Sequence, residues 1–161
     1  MADYIHDIRA KVGHMPIILN AVAGIILNDQ GQILLQKRTD THNWSVPGGY
    51  MEYGESFIDT LHREVLEDSG LEVKPIKLIH VFDQGFTKYP NGDITQAISV
   101  NYLVKPIGGT LIAEPTNETL AMAYFDLDDL PPLLNQQNAD IMAYVRTHLT
   151  ELQALLKTAE I

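Results

Sequence analysis

The chain has 161 residues, and apolar residues form 45% of it, enough to build a buried core for one domain. It contains no cysteine, which excludes disulfide frameworks, thiolate metal sites and cysteine nucleophiles. Its formal net charge of −10 disfavours binding to nucleic acids, and no apolar run reaches the roughly 18 residues of a membrane-spanning helix. We therefore expect a single cytoplasmic domain over residues 1–161, with neither a nucleic-acid polymer nor a membrane as partner.

The first half of the chain predicts two strands between two helices. Residues 1–15 form a short helix or an extended arm, because their apolar residues have weak helical spacing. Two apolar runs follow, residues 17–27 and 32–38, and the glycine-containing turn between them is typical of a β-hairpin. A helix is then expected over residues 55–69, and Gly70 is placed to end it.

The second half alternates strand patterns with loops. We predict strands over residues 71–83, 94–105 and 121–127, with a loop over residues 84–93. A final helix is expected over residues 135–157, since its apolar residues fall near one face. This order of elements indicates an α/β (α+β) fold in which a mixed β-sheet lies between helices.

Three carboxylates share one face of the helix predicted over residues 55–69. Glu64, Glu67 and Asp68 have three-and-four spacing, so they repel one another near the end of the helix where the dipole disfavours anions. A hard divalent cation would offset these costs, because Mg²⁺ and Mn²⁺ prefer clustered carboxylate oxygens. A solvated acidic surface with Arg63 paired to a neighbouring acid fits the same spacing, so these acids alone leave both interpretations open.

A longer pattern surrounds these acids. Gly49 is followed after five residues by Glu55, and after seven more by the run from Arg63 to Leu71. This spacing resembles the signature of the Nudix (MutT-like) hydrolases, with one departure at Asp68, where that signature has a second glutamate. The resemblance covers roughly residues 17–135 and is nearest to the bacterial ADP-ribose pyrophosphatase-like group.

The resemblance implies an activity and a set of metal ligands. Nudix hydrolases split a nucleoside diphosphate linked to another group X by attack of water at phosphorus, and they require Mg²⁺ or Mn²⁺. The implied ligands are Glu64, Glu67 and Asp68, with Glu55 as an auxiliary ligand. Arg63 would orient these carboxylates through an ion pair.

Four further residues are candidates for the site. Gly48 and Gly49 would let the loop backbone approach the pyrophosphate closely, since glycine has no side chain. Arg38 could meet a phosphate, or it could lie on the surface. Glu64 is the first candidate for the general base and Glu118 the second, although Glu118 could equally be an exposed loop acid.

Two questions remain open at this level. A non-catalytic nucleotide-binding regulator with the same fold is the alternative function, although the intact set of acids favours catalysis. The signature does not select X, so ADP-ribose-like compounds and nucleoside triphosphates are both candidates, with the former favoured.

A homodimer is the expected assembly, because the arm at residues 1–15 could exchange between subunits.

Overall fold

The computed structural model describes residues 3–159, so residues 1, 2, 160 and 161 of the expected domain lie outside the described part. The elements in chain order are α1 (Tyr4–Val12), β1 (Ile17–Ile25), β2 (Ile33–Arg38), β3 (Trp44–Ser45), β4 (Gly48–Tyr50), α2 (Phe57–Ser69), β5 (Leu71–Lys88), β6 (Ile94–Gly109), β7 (Thr119–Phe125), α3 (Gln136–Thr147) and α4 (Leu149–Thr158). Of the two forms expected for the N-terminal segment, a helix or an extended arm, the described part shows a helix over Tyr4–Val12.

The strands form two sheets. A mixed four-stranded sheet has the order β4-β1-β6-β5, with β1 parallel to β6 and the other pairs antiparallel. A three-stranded antiparallel sheet has the order β3-β2-β7. The mixed α and β class expected from the sequence is confirmed, and the strands are divided between two sheets.

The hairpin predicted for residues 17–27 and 32–38 forms only at its tip. An antiparallel bridge joins Leu27 to Ile33, and the amides of Asn28 and Leu34 donate to the carbonyls of Gln32 and Ile26, but β1 and β2 themselves lie in different sheets. The reason is that β4 and β6 already pair with the two edges of β1. A turn between two apolar runs does not reveal such competition.

The long hairpin of β5 and β6 corrects the loop predicted over residues 84–93. β5 continues to Lys88, and only residues 89–93 form the turn. Gly85 was mistaken for a loop residue, whereas it lies in the strand beneath the side chain of Gln137. A Cβ atom at Gly85 would lie 2.4 Å from that side chain, so the glycine makes room for it.

The C-terminal helix predicted over residues 135–157 is broken into α3 and α4 at His148. The backbone of His148 departs from helical geometry, with φ −106° and ψ 12°. Its ring stacks on that of Tyr144 at 4.0 Å between centroids, and its Nδ1 reaches the Tyr144 carbonyl at 2.9 Å. These side-chain contacts lie at the break, and the backbone bond from the His148 amide to the Tyr144 carbonyl is kept.

The helix that carries the acidic residues has well-defined ends and one buried face. Ser56 and Asp59 exchange bonds in a capping box at its start, and Gly70 ends it in the left-handed conformation with φ 82°. Leu61 and Val65 are fully buried on its inner face. The acids of α2 are therefore presented on a helix whose register is fixed at both ends.

Two hydrophobic clusters form the core, one on each side of the strands. Val65 of α2 packs in the first cluster, which includes Leu34, and Val145 of α3 packs in the second, which includes Leu35. Consecutive residues of β2 thus face opposite helices, as strand geometry requires. The strands lie between helices, which confirms the layered arrangement expected from the sequence.

Within residues 3–159, every helix is too short or too polar to cross a bilayer.

Candidate active site

Arg63 is the centre of an ion-pair network on α2. Its Nε and Nη2 atoms donate to the two carboxylate oxygens of Glu55 at 2.7 and 2.8 Å. Nη1 donates to Glu64 at 2.7 Å and lies 3.6 Å from Glu67, while Nη2 also donates to the Tyr50 carbonyl at 3.0 Å. The guanidinium therefore fixes β4, the following loop and α2 relative to one another.

The network shifts the ionisation of its members. The hydrogen bond from Arg63 lowers the pKa of Glu55 to about 2. The hydrogen bond to Glu55, together with that to Glu64, holds the pKa of Arg63 above its ordinary value. Both groups are thus charged throughout the physiological range.

Three carboxylates converge beside this network. Ligand oxygens of Glu64, Asp68 and Glu118 all lie within 4.8 Å of one another. Glu64 and Asp68 project from α2, whereas Glu118 immediately precedes β7 and comes from a segment distant in sequence. Such a group of hard oxygen atoms has the chemistry of a divalent-cation site.

Burial makes this cluster electrostatically costly. Asp68 is 3% exposed, and its carboxylate accepts a 2.9 Å bond from the Gly48 amide. Burial raises the pKa of Asp68 well above its ordinary value, and the nearby Glu64 and Glu118 carboxylates raise it further. Burial likewise raises the pKa of Glu64 to about 7, despite the opposing charge of Arg63.

Two of the acids implied by the Nudix resemblance lie outside the cluster. Glu67 is directed toward Arg63 and keeps 35% of its side chain exposed, and burial raises its pKa above the ordinary value. Glu55 is occupied by Arg63, by the hydroxyl of Thr60 and by the amide of Glu52. The structure thus groups Glu118 with two acids of α2 and places the other two around the guanidinium.

The adjacent glycines allow close packing, Gly48 against β1 and Gly49 against the acid Glu64. A Cβ atom at Gly49 would lie 2.4 Å from the carboxylate carbon of Glu64, and one at Gly48 would lie 2.3 Å from the Val22 carbonyl oxygen. Gly48 also donates its amide to Asp68. These contacts give a reason for both glycines that differs from the pyrophosphate approach expected from the sequence.

A cavity of about 590 Å³ opens at the acidic cluster. Its walls include both glycines, all three clustered acids, and residues of both sheets, α1 and α3. The hydroxyls of Tyr50 and Tyr89 meet at 2.9 Å on this wall, and burial raises the pKa of Tyr50. A volume of this size accommodates a small-molecule ligand.

Arg38 also lines the cavity, where it forms a two-point pair with Asp40. Its Nε and Nη2 atoms donate to the two carboxylate oxygens at 2.9 and 2.7 Å. Burial alone would lower the pKa of Arg38, but the pair with Asp40 outweighs burial and keeps the pKa above its ordinary value. A cationic side chain is therefore available near the acids.

Sequence reasoning missed three polar residues of the cavity wall or its support. Gln36 and Ser45 line the cavity, and each has a buried side-chain oxygen that accepts no hydrogen bond from residues 3–159. Gln36 gave no clear signal, because it begins the polar half of its strand and is followed directly by Lys37 and Arg38. Thr119 is fully buried and bonded to the backbone of Asp68, and nothing in its local sequence indicates that contact.

Comparison with known proteins identifies related chains. The NUDIX domain family model matches residues 18–145. The 8-oxo-dGDP phosphatase of Homo sapiens is 32% identical over 138 residues, which cover 83% of this chain and 38% of that protein. An ADP-ribose pyrophosphatase of Methanocaldococcus jannaschii is 30% identical over 128 residues, which cover 78% of this chain and 72% of that protein. The chain thus spans well under half of the human relative.

Solved structures show the same fold. An ADP-ribose pyrophosphatase from Streptococcus suis superposes with a TM-score of 0.65 at 28% identity, covering 89% of this chain and 94% of that one. A MutT NUDIX hydrolase from Burkholderia pseudomallei superposes with the same TM-score at 25% identity, covering 80% and 98% of the two chains. The family match over residues 18–145 includes α2 and β7, which carry or adjoin the acids of the cluster.

Proposed function

This chain belongs to the NUDIX family of nucleotide pyrophosphate hydrolases, and we propose that it uses Mg²⁺ or Mn²⁺ to cleave a nucleoside diphosphate linked to a group X. The observation that carries the proposal is the convergence of Glu64, Asp68 and Glu118 at the mouth of the cavity. Water would attack one phosphorus of the pyrophosphate.

The residues present fit a divalent cation. Two of the three clustered acids are largely shielded from water, and burial raises the pKa of both Glu64 and Asp68. Ionised carboxylates in such a place are unfavourable unless a positive charge compensates for them. Arg63 compensates for Glu64, whereas no side-chain cation bonds to Asp68 among the contacts of the described residues. We propose Glu64, Asp68 and Glu118 as the ligands, with Glu67 and Glu55 as outer acids.

Each remaining group has a proposed role. A bound cation would neutralise the pyrophosphate oxygens and acidify a coordinated water. Arg63 holds the Glu64 carboxylate in place within the cluster. Arg38 would bind a phosphate oxygen beside its pair with Asp40, because a guanidinium has five donors. Glu64 remains the first candidate for the general base and Glu118 the second.

We propose an ADP-ribose-like compound as the first candidate substrate. The relatives that this chain matches over most of their own length include two proteins described as ADP-ribose pyrophosphatases. An oxidised guanine nucleotide is the second candidate, because the human relative described as an 8-oxo-dGDP phosphatase is 32% identical.

A substrate panel tests this proposal. Purified chain would be assayed for product release from ADP-ribose, 8-oxo-dGDP and nucleoside triphosphates, with Mg²⁺, with Mn²⁺ and with a chelator. We expect metal-dependent turnover that is fastest with ADP-ribose. Tight binding of a nucleotide without turnover of any panel member would instead support the non-catalytic regulator.

The Glu64→Gln variant provides the matched control for this assay. It keeps the size of the side chain and removes its charge, so turnover that persists unchanged in this variant would come from a contaminant or from another site.

Four expectations remain predictions from the sequence. They are a single domain over residues 1–161, a homodimer, a cytoplasmic location and the absence of a nucleic-acid partner.

A further inference from the structure

Thr119 links the two sides of the acidic cluster. It is fully buried, and its hydroxyl donates a 2.8 Å bond to the backbone carbonyl of Asp68. The same hydroxyl accepts a 2.8 Å bond from Nε2 of Gln36. Because a hydroxyl has one proton and that proton is given to Asp68, the direction of both bonds is fixed.

Glu118 is held through its backbone. Its amide and that of Thr119 both donate to the hydroxyl of Thr116, at 3.3 and 3.1 Å, and the Thr116 amide donates to the Thr119 carbonyl. The Glu118 carbonyl accepts from the Thr39 amide at 3.2 Å. These bonds make residues 116–119 one tight turn, so the orientation of that turn decides where the Glu118 carboxylate points.

The ladder between β2 and β7 reaches this turn through an irregularity. The register between β2 and β7 shifts at Lys37 and Arg38, where Arg38 pairs with Thr119 and Lys37 with Ala121. Ionised Glu118 and Asp68 would also repel each other and push the turn away from α2. The Thr119 hydroxyl opposes such a displacement, because it bonds the turn directly to the α2 backbone at Asp68.

We propose that Thr119 is a positioning residue that sets the distance between Glu118 and the acids of α2, and so makes Glu118 a metal ligand. The inference rests on the proposed function, because it assigns a support to the metal site described there. Thr119 acts through Glu118 and the Asp68 backbone and touches neither metal nor substrate. Residues that orient metal ligands in this way typically contribute about 10- to 100-fold to metal affinity or activity.

Metal affinity tests the proposal separately from turnover. Mn²⁺ binding to the full chain would be measured by electron paramagnetic resonance for the unmodified protein, Thr119→Val and Thr119→Ser. Valine matches the shape of threonine but has no hydroxyl, so we expect Mn²⁺ to bind about 10- to 100-fold more weakly. Serine keeps the hydroxyl and should stay close to the unmodified protein. In turnover, Thr119→Val should lower kcat more than it changes KM.

A double-mutant cycle separates positioning from a general effect on folding. If Thr119 acts through Glu118, then adding Thr119→Val to Glu118→Gln should change Mn²⁺ affinity by no more than about twofold, the scatter expected without coupling. The same large loss in both backgrounds, or no loss in Thr119→Val alone, would overturn the inference while leaving the proposed function intact. Absence of Mn²⁺ binding and of turnover in the unmodified protein would overturn the proposed function and this inference together.

Discussion

The carboxylate of Glu64 occupies the space that a side chain at Gly49 would need. A Cβ atom built at Gly49 would lie 2.4 Å from Cδ and Oε2 of Glu64, well inside van der Waals contact. The backbone of Gly49 does not lie in the left-handed region, so the requirement for glycine comes from this contact alone. The nucleotide-hydrolase motif thus encodes a steric fit between β4 and α2.

Replacing Gly49 should therefore impair catalysis. In Gly49→Ala the new methyl group displaces the Glu64 carboxylate, and a misplacement of about 1 Å lowers turnover by about 10²-fold. Gly108→Ala is the matched control, because its Cβ atom meets only the end of the exposed Glu72 side chain, which can rotate away. Steady-state kinetics and the melting temperature would be measured for both variants. Equal turnover in the two would show that Glu64 does not need its present position.

Removing the charge of individual acids should separate the cluster from the outer acids. We expect Glu64→Gln to lose about 10²- to 10⁴-fold in kcat while the fold is kept, since a general base or bridging ligand is removed. Glu67→Gln should lower kcat and Mn²⁺ affinity less than Glu64→Gln does, because Glu67 lies outside the converging group. Steady-state kinetics and Mn²⁺ titration would measure both quantities for each variant. Glu72→Gln, at an exposed acid away from the site, serves as the control. Equal losses for Glu64 and Glu67 would favour the ligand set implied by the motif.

Lysine cannot replace the guanidinium of Arg63. Arg63 bonds to both oxygens of Glu55 and to Glu64 at once, whereas an ammonium group is a point charge without this planar geometry. Arg63→Lys should lower kcat by about tenfold or more with a smaller change in KM. Arg146→Lys, which changes an ion pair with Asp128, is the comparison. A raised KM at unchanged kcat would mean that Arg63 binds substrate directly.

The metal-free protein should be most stable near pH 5. The pKa of Glu55 is about 2, below its ordinary value of 4.5, so its stabilising effect is present above pH 4.5 and is lost as the pH falls toward 2. The pKa of Glu64 is about 7, above the same ordinary value, so the folded state retains a proton between pH 4.5 and 7 that the unfolded state releases. Stability therefore declines as the pH rises through that window.

Melting temperatures in a chelating buffer from pH 3 to pH 8 would check this profile. Glu64→Gln should make the decline above pH 5 shallower, while the part that comes from buried Asp68 remains, and it should leave the loss at low pH unchanged. A melting temperature of the unmodified protein that rises steadily between pH 5 and pH 8 would contradict the buried, proton-retaining state of Glu64.

Local features of the site were predictable from the sequence, whereas its long-range contacts were not. The spacing of Glu64 and Asp68 places both on one helix face, and Gly70 ends that helix as expected. The approach of Glu118 depends on the pairing of β2 with β7, which no local pattern encodes. The steric role of Gly49 likewise depends on β4 lying against α2.

In the fold, too, local features were predictable and contacts between segments were not. Apolar runs locate most of the strands, but they do not indicate which strands pair with the two edges of β1. In the sequence, Gly85 has the character of a loop residue. In the structure it lies in a strand, and the Gln137 side chain fills the space beside it. Period and propensity describe one segment at a time, and both of these errors concern contacts between segments.

The long β5–β6 hairpin lies in the chain between α2 and Glu118, and this order has a consequence for synthesis on the ribosome. A nascent chain that has emerged only through β6 already carries Glu64 and Asp68, but it lacks the third acid that brings them into a crowded cluster. Pairings between distant segments form late, because the intervening loop must first be closed. The repulsion that the Glu118 carboxylate adds to the cluster is thus postponed until the rest of the scaffold has formed.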